Sequence, residues 1–581
     1  KSLWLLKVDL SLSSFIYSKI DNLVFYATIL MVIKMKKSIF YKKIICIFSI
    51  TVAFLFLLFT AAVVLHPTRY IKCSANTLTV YKTYLEDGEA VVDKVQIPKG
   101  TKVKVYEKKD KTSIIVYNKN KFTVNNKNLT KHFEDAIQTD YVYCRRLVNL
   151  RESKGGKLSK AIVKKGEKIK VLSIDQNDWD EKTGKIRWYK ISKNNKSYYV
   201  SGEYVETSKK LALKNYANNI SYSTYWDDYY KDGYAKDAYI SQVDYKPQKK
   251  QSYKGNVMPD TVKAIHVSMN NFVNNQSYID NLKGINTVIV EAKNDEGSIF
   301  YDSNVCDEYL SDPDLAVENT VVSKKELKKI IKKYRKKGIY CVSRIVVFKD
   351  PVFAKDNPKE SLTDKHDNLV VYNNQYWPSA YSRKAWMYNV AIAKECADLG
   401  FNEIQFDYVR FPDGTANSEI NLDFHNTYKE SKVAAVQGFL QYAKEELSPK
   451  GVYVAADIFA WPIVACDDQD IGQFLPAIAN VVDVVSPMPY LDHFAKGSFG
   501  IDDPVQAPYD TLAAFTKISN VQLKGIKHAS KYRTWIQGYD MTSRELKQQI
   551  KGLKDNKQPD YMVWLVSGDE SDINKIKNGF H

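Results

Sequence analysis

From residue 260 onward, short apolar runs alternate strictly with amphipathic stretches of helical periodicity. This alternation restricts the fold more than any other feature of the sequence, because strand and helix in strict succession indicate a parallel sheet. Eight runs over about 320 residues predict an α/β fold, a closed (β/α)8 TIM barrel covering residues 259–581. The runs span residues 263–268, 286–293, 339–347, 403–411, 452–459, 482–490, 532–539 and 561–566.

Polar residues stand near the ends of these runs, where barrels of this kind carry their functional side chains. Side chains alternate between the two faces of a strand. Ile404 and Phe406 therefore share one face of the fourth run, and Gln405 and Asp407 share the other. Since the apolar face should meet the helices, Asp407 is predicted to point into the barrel mouth, the opening at the carboxyl ends of the strands.

Two further acids are predicted to reach the same mouth. Asp457 stands near the end of the fifth run, and Glu291 shares one face of the second run with Ile289 and Lys293. Charged residues are seldom buried without a partner, so acids converging from three strands indicate a site. The predicted catalytic residues are Asp407, Asp457 and Glu291.

Paired carboxylates are what cleavage of a glycosidic bond requires. One acid protonates the leaving oxygen, and the other attacks the sugar or activates water. A crowded acidic site can raise the pKa of one acid, and a nearby Arg344 or Arg410 can keep the other ionised. A purely structural interpretation remains open, in which Asp407 pairs with Arg410, and Glu291 pairs with Lys293 or Arg344.

Other polar and aromatic residues in or just after the runs are candidates for binding a sugar. Flat aromatic faces of Trp535 and Trp564 suit stacking on sugar rings, although core or rim packing explains such residues equally well. The predicted substrate-binding residues are His266, Arg344, Gln405, Arg410, Tyr490, Trp535, Gln537 and Trp564.

Several motifs of this region resemble those of a known family, the DUF4015 group of bacterial glycoside hydrolases with a (β/α)8 barrel. They are AIHVS, NTVIVEAKNDEG, GIYCVSRIVVFKDP, WMYNVAIAKECADLGFNEIQFDYVRFP, VYVAADIFA and VDVVSPMPY, and they cover roughly residues 260–570. The resemblance implies that Asp407 is the nucleophile or base and that Asp457 is the acid. The leading prediction for the whole chain is a glycoside hydrolase, endo- or exo-acting on cell-wall or surface polysaccharide, without a cofactor.

Three other functions are open to the same sequence. A barrel can lose its chemistry and remain a non-catalytic carbohydrate- or wall-binding scaffold. A Schiff base on Lys293 is disfavoured because that lysine has charged neighbours rather than an apolar pocket. Zinc hydrolysis is disfavoured because the eight histidines include no HxH or HxxxH pair, so no metal site is predicted.

The N-terminal half predicts two small all-β modules, residues 76–135 and 139–207, followed by a linker over residues 208–258. Short β-branched and aromatic runs alternate there with Gly, Asn and Asp turns. The second module resembles bacterial SH3-like domains in its VNLR opening and its WYKI and YVSGEYV close, and the first is a degenerate copy. The resemblance implies binding of cell-wall peptide or glycan, and a role as mere spacers is equally open.

Residues 44–65 form an uncharged apolar run whose length suits a membrane-spanning helix. Lysines at 36, 37, 42 and 43 precede it, which predicts a cytoplasmic or otherwise uncertain segment 1–43 and extracellular C-terminal domains. The alternative is a cleaved signal peptide. Residues 1–34 carry no starting Met and are an uncertain part of the chain.

The formal net charge of +18 has three explanations: contact with nucleic acid, contact with anionic wall polymers or lipid headgroups, or a Lys-rich composition without function. No nucleic-acid recognition motif accompanies the charge, so no nucleic-acid partner is predicted.

Overall fold

A computed structural model describes residues 66–86, 89–214, 242–248, 250–415, 421–524, 526–566 and 570–580. The predicted membrane helix 44–65, the segment 1–43 and residues 215–241 of the linker lie outside these ranges. Within them, every helix is too short or too polar to cross a lipid bilayer. The chain divides into two compact units: the first holds the described residues up to Gln138 with Ile174–Arg187, and the second holds Thr139–Ser173 with Trp188 onward.

The first unit is built mainly of β-strands, as predicted for this part of the chain. Its strands are β1 (Thr68–Ile71), β2 (Thr77–Glu86), β3 (Glu89–Pro98), β4 (Lys102–Lys108), β5 (Thr112–Tyr117), β6 (Asn120–Asn125) and β7 (Leu129–Thr130), and a short helix, Phe133–Ile137, follows. One sheet has the order β6-β5-β4-β1-β7, and β2 and β3 form a separate antiparallel hairpin. Alternate residues such as Val103, Val105, Ile115 and Phe122 fill its core.

The second unit begins with another all-β module, at the position predicted for residues 139–207. Its strands are β8 (Tyr141–Cys144), β9 (Val148–Arg151), β10 (Leu158–Val163), β11 (Lys168–Ser173), β12 (Trp188–Lys193), β13 (Lys196–Ser201) and β14 (Val205–Glu206). They form one sheet of order β10-β9-β13-β12-β11-β8-β14, and a short helix, Lys209–Ala212, ends the module. We call residues 139–173 and 188–212 the second β module.

The rest of the second unit is a nearly closed parallel barrel. Its strands are β15 (Lys263–Val267), β16 (Thr287–Lys293), β17 (Tyr340–Val346), β19 (Glu403–Asp407), β21 (Tyr453–Phe459), β22 (Val484–Met488), β23 (Lys531–Tyr532), β24 (Thr534–Gln537) and β25 (Tyr561–Trp564), while β18 (Thr363–Asp364) and β20 (Leu422–Asp423) pair separately. The order is β23-β22-β21-β19-β17-β16-β15-β25-β24.

Each of the eight predicted runs contains a barrel strand, and the seventh run is divided. Strand β23 pairs with β22, strand β24 pairs with β25, and only Arg533 separates β23 from β24 in the chain. The backbone N–H of Arg533 donates to Val485 O at 3.0 Å, which continues the ladder across the division. The nine strand segments therefore account for the eight predicted runs.

Helices surround the barrel and cover the apolar face of its strands. The longer ones are Lys324–Lys336, Arg383–Leu399, Lys432–Leu447, Pro508–Lys524 and Ser543–Asp555, and the shorter ones are Met269–Asn274, Gln276–Asn281, Cys306–Tyr309, Asp314–Val317, Pro351–Asp356, Ala460–Val464, Leu475–Ala479 and Glu570–Ile576. Phe406 belongs to the outer core with helix residues such as Phe439, whereas Ile289 and Tyr453 belong to a separate inner core. The predicted alternation of faces is thus present.

Lys293 is the exception to that alternation. It was expected on the same face as Glu291, but the pairing of β16 with β17 shifts register between these two residues. The Lys293 ammonium donates to Val346 O at 2.7 Å, lies 2.8 Å from Asp350 Oδ2 and faces the ring of Tyr388 on a surrounding helix. The prediction was therefore wrong for Lys293, because a register irregularity and a buried acid partner hold it outside the mouth.

A buried ion pair fills the floor of the barrel, at the amino ends of its strands. Glu403, the first residue of β19, and Arg533 are both fully buried. Arg533 Nη1 lies 2.7 Å from Glu403 Oε1, and the Tyr340 hydroxyl donates to Glu403 Oε2 at 3.1 Å. These contacts satisfy the charge of Glu403 inside the barrel.

The second β module packs directly on the barrel helices through its VNLR strand, β9. Arg151 is buried and its Nη2 lies 2.9 Å from Glu446 Oε1 and 3.3 Å from Glu445 Oε2, on the helix Lys432–Leu447. Asn149 accepts a hydrogen bond from Arg383 Nε at 2.8 Å. The module and the barrel therefore share a polar, buried interface within the second unit.

Candidate active site

The acids predicted for the mouth lie on neighbouring strands at matching heights. Phe406 of β19 pairs with Ala456 of β21, so Asp407 and Asp457, one residue further along each strand, end at the same level. Glu291 on β16 pairs with Arg344 on β17. Strand β17 lies between β16, which carries Glu291, and β19, which carries Asp407. The fold therefore brings the three predicted catalytic residues to one end of the barrel.

Arg344 connects two of these acids. Its Nε and Nη2 donate to Asp407 Oδ2 at 3.0 and 2.6 Å, and its Nη1 donates to Glu291 Oε1. The other oxygen of Asp407, Oδ1, accepts the backbone N–H of Tyr408 at 2.6 Å. The guanidinium is buried, and its two acid partners raise the Arg344 pKa despite the opposing effect of burial. The Asp407 carboxylate is therefore held in one orientation by a permanent positive charge.

Asp457 lies in a different environment although it ends the adjacent strand. Its side chain is fully buried; Oδ1 accepts a hydrogen bond from Trp535 Nε1 at 2.9 Å, and Oδ2 has no hydrogen-bond partner among the described residues. Burial raises the pKa of Asp457 well above its usual value, and the nearby charge of Asp407 adds to this. Asp457 therefore favours its protonated form while its neighbour is paired with arginine.

Glu291 is the most open of the three acids, with 19% of its side chain exposed. Burial raises the pKa of Glu291, the Arg344 charge opposes that rise, and the charges of Asp295 and Asp407 add to it. Asp407 thus lies between two acids with raised pKa values, and Arg344 contacts both Asp407 and Glu291, an arrangement suited to moving a proton.

A family model described as "Putative glycosyl hydrolase domain" (DUF4015) matches residues 262–569. This match covers more than half of the chain. The chain belongs to the DUF4015 family. The matched segment begins just before β15 and extends past β25, so the family domain corresponds to the barrel with its helices.

Solved structures also resemble parts of the chain. A hypothetical protein from Ruminiclostridium thermocellum ATCC 27405 is 31% identical, with a TM-score of 0.28, over 33% of this chain and 96% of its own. The PgaB (BpsB) glycoside hydrolase domain from Bordetella bronchiseptica is 14% identical, with a TM-score of 0.39, over 55% of this chain and 99% of its own. A Vibrio harveyi exo-β-N-acetylglucosaminidase is 11% identical, with a TM-score of 0.36, over 55% and 54%. No protein with a curated function matches in sequence.

Tyr490 closes another side of the site of this DUF4015 domain. It follows β22 and is buried, and its pKa is raised well above the usual value by burial and by the charges of Asp407 and Asp457. Its ring meets those of His493 and Tyr539 edge to face. The predicted position of Tyr490 at the mouth is consistent with these neighbours, and its role in binding stays a prediction.

His266 and Trp564 form the wall next to Arg344. The two rings lie 4.2 Å apart, and the guanidinium of Arg344 lies 5.0 Å from the Trp564 ring centre. His266 Nδ1 contacts Leu565 O at 3.1 Å, which assigns the ring proton to Nδ1, while Nε2 is buried without a hydrogen-bond partner among the described residues. Burial and the Arg344 charge lower the pKa of His266 to about 3, so the imidazole is neutral.

Three predicted binding residues use their polar groups within the protein. Gln405 lies deep in the barrel with its amide nitrogen near Ser486 Oγ. Gln537 accepts the backbone N–H of Leu491 at 2.9 Å, and Trp535 is almost fully buried behind Asp457. Their roles in sugar binding stay predictions, and for Trp535 the buried ring faces leave no room for a stacked sugar in this conformation.

Arg410 does not contact Asp407, contrary to one of the interpretations of the sequence. Its Nη1 donates to Phe411 O at 2.9 Å and to Asp413 Oδ1 at 3.3 Å, and its guanidinium lies over the Phe459 ring. Burial lowers the pKa of Arg410. The partner of Asp407 is Arg344 instead, because Arg410 lies beyond the end of the strand.

Tyr408 was not predicted, yet it shapes the site. Its φ of 47° lies in the left-handed region that non-glycine residues seldom adopt. This conformation directs its N–H to Asp407 Oδ1, and its ring lies 4.9 Å from the Lys349 ammonium. Backbone strain of this kind concentrates at functional sites. The only signal in the sequence is its position directly after Asp407.

Metal ligation has no support in the described part of the chain. No group of three or more His, Cys, Asp or Glu side chains there is arranged to hold an ion. The positive charge next to the acids is supplied by Arg344.

Proposed function

We propose that the barrel is a glycoside hydrolase in which Asp457 donates a proton and Asp407 acts from the other side of the bond. The supporting observation is the contrast between the two acids. Asp407 is held by the Arg344 guanidinium, whereas Asp457, at the same level of the next strand, has a raised pKa and an Oδ2 that forms no hydrogen bond with any described residue. A buried carboxyl with a raised pKa next to a carboxylate held by a cation suits the roles of acid and base.

In the proposed reaction the proton on Asp457 passes to the glycosidic oxygen as its bond to the anomeric carbon breaks. Asp407 either takes a proton from the water that attacks that carbon, or attacks the carbon itself. In the second case water then hydrolyses the bond between the sugar and Asp407, and Asp457 takes the proton of that water. Arg344 stabilises the Asp407 carboxylate before the reaction and keeps it oriented. The neutral Nε2 of His266, also without a partner, supplies an acceptor for a sugar hydroxyl.

Glu291 is a second candidate for the proton donor. Its pKa is also raised, and its side chain is more exposed than that of Asp457. The two assignments can be distinguished by the alkaline limit of activity. This limit depends on the pKa of Asp457 if Asp457 is the donor, and on the pKa of Glu291 if Glu291 is the donor.

The proposed substrate is a cell-wall or surface polysaccharide. This class rests on the predicted membrane helix 44–65, from which we expect the barrel to lie outside the cell, and on the predicted SH3-like character of the second β module. The module is proposed to contact wall peptide or glycan through surfaces other than β9, since that strand is used against the barrel.

A non-catalytic carbohydrate-binding protein is the second candidate function. The observation that favours it is the burial of Asp457, whose side chain has no contact with solvent. A substrate has to reach Oδ2 for the proton to be transferred.

The decisive experiment measures reducing-sugar release from purified wall polysaccharides by the wild type, Asp407→Asn, Asp457→Asn and Glu291→Gln. Asp398→Asn serves as the control because Asp398 is exposed and, among the described residues, its carboxylate pairs with Lys450 alone. Loss of release in Asp407→Asn and Asp457→Asn, with release unchanged in the control, supports the proposal. Sugar binding without release in every protein supports the non-catalytic alternative.

A further inference from the structure

The helix Lys324–Lys336 carries an unusual concentration of positive charge. Together with Lys337 its sequence is KKELKKIIKKYRKK, which contains nine basic residues and a single acid, Glu326. The fold places this basic segment on the outer wall of the barrel, because the helix follows β16 and precedes β17.

The apolar residues of this helix all face inward. Leu327, Ile330, Ile331 and Tyr334 are buried against the barrel. The outward face therefore presents ammonium and guanidinium groups without an apolar or aromatic side chain between them. Five lysines line one shallow surface concavity: Lys329, Lys332, Lys333, Lys336 and Lys337.

Three of these nine charges have an acid partner within the protein. Lys324 pairs with Glu395 at 2.9 Å, Lys329 pairs with Glu326 at 3.0 Å, and Lys337 pairs with Asp280 at 2.7 Å. Lys325, Lys332 and Lys336 form no ion pair with any acid in the described ranges. Like charges four residues apart on a helix repel each other, so the charges on this face destabilise the helix. A bound anion reduces that repulsion.

The spacing of the lysines indicates the shape of that anion. Residues three or four apart lie on one side of a helix and advance by roughly 4.5–6 Å along its axis. Lys325, Lys329, Lys332 and Lys336 follow this spacing, and we call them the lysine stripe. A linear polymer with one negative charge in every such interval meets each ammonium in turn.

We propose that the lysine stripe binds a linear cell-surface polymer with a repeated phosphate group, of the poly(alditol phosphate) kind. Lysine binds phosphate as a point charge that needs no fixed orientation, which suits the rotating phosphate groups of a flexible polymer. The outward face has no apolar residue to enter a membrane and no aromatic ring to stack on nucleic-acid bases. The stripe is separate from the acids of the mouth, so this binding does not depend on the proposed hydrolysis.

The test uses the full chain and measures binding of purified poly(glycerol phosphate) as a function of salt. The stripe variant is Lys325→Gln, Lys332→Gln and Lys336→Gln combined. The matched control is Lys547→Gln, Lys554→Gln and Lys557→Gln combined. It removes the same charge from exposed positions on and just after the helix Ser543–Asp555.

We expect the stripe variant to raise the Kd at least about tenfold at low salt and to reduce the slope of log Kd against log salt by about 2, since each lost contact removes roughly 0.7. The control should stay within about twofold of the wild type at the same salt. Equal weakening of the two variants contradicts the proposal, and so does no binding by the wild type. Tighter binding to polygalacturonate, oligothymidylate or phosphatidylglycerol vesicles also overturns it, by assigning the face to a carboxylate polymer, a nucleic acid or a membrane.

Discussion

Arg344 donates two hydrogen bonds to a single oxygen of Asp407, from Nε at 3.0 Å and from Nη2 at 2.6 Å. The same guanidinium reaches Glu291 through Nη1. One arginine therefore compensates two acids on the strands on either side of it, and it leaves the third acid, Asp457, without a cationic partner. The three acids differ in their contact with Arg344, and this difference is the physical basis of the roles proposed for them.

Removing Arg344 should destabilise the barrel as well as stop its chemistry. In Arg344→Gln two mostly buried carboxylates lose their partner, for which we expect a loss of about 3–5 kcal/mol in the free energy of unfolding. Urea denaturation measures this. Arg335→Gln, at an exposed position, should change the free energy of unfolding by less than about 1 kcal/mol. A similar loss in both variants would show that Arg344 has no special structural role.

The alkaline limit of activity should depend on the indole of Trp535. Its N–H donates to Asp457 Oδ1 and lowers the pKa of that carboxyl against the larger effect of burial. In Trp535→Phe the pKa of Asp457 should rise further, so the protonated acid persists and the alkaline limb of kcat/KM moves to higher pH.

Trp377→Phe is the matched control for that shift, because the Trp377 indole donates to Tyr372 O and to no acid. Its alkaline limb should coincide with that of the wild type. If the alkaline limb of kcat/KM moves in Glu291→Gln and does not move in Trp535→Phe, Glu291 is the proton donor instead of Asp457.

Because of His266, the free energy of unfolding should be lower in mild acid than at neutral pH. Its pKa in the folded state is about 3, below its ordinary value, so the unfolded chain takes up the proton first as the pH falls. The stabilisation is complete above about pH 6.5 and declines by up to about 1.4 kcal/mol per pH unit below it. Unfolding free energies of the wild type and His266→Gln at pH 5 and pH 7 measure the difference, which should be smaller in the variant. An identical pH dependence in both proteins would refute the neutral, buried imidazole.

The interface between the second β module and the barrel should be sensitive to Arg151. Its guanidinium is buried against Glu445 and Glu446, so Arg151→Gln should lower the free energy of unfolding of the second unit by about 3–5 kcal/mol. Lys157→Gln is the control from the same module. Lys157 also pairs with a barrel acid, Glu308, but both partners are largely exposed, and about 0–1 kcal/mol is expected. Thermal denaturation of the full chain compares them, and equal effects would contradict the importance of the buried pair.

The period-two pattern of the strands was enough to predict which acids enter the mouth. Asp407 and Asp457 alternate with apolar neighbours that face the helices, and the structure keeps that alternation on β19 and β21. The barrel strands followed from the same reasoning, apart from the division of the seventh run at Arg533.

The partners of these acids could not be predicted in the same way. Arg344 and Arg410 are equally plausible partners of Asp407 in the sequence, and only the pairing of β17 with β19 selects Arg344. The displacement of Lys293 depends on a local register shift, and the conformation of Tyr408 depends on a positive φ. Such features arise from the packing of several strands, so no pattern within one strand contains them.

The ion pair between Glu403 and Arg533 seals the barrel at the end opposite the acids. The interior is a packed core and has no passage through it. A long chain cannot be threaded from one side of the barrel to the other, so any polymer has to lie across the open end or insert only its terminus. The released product therefore leaves through the same open end of the barrel at which the polymer binds.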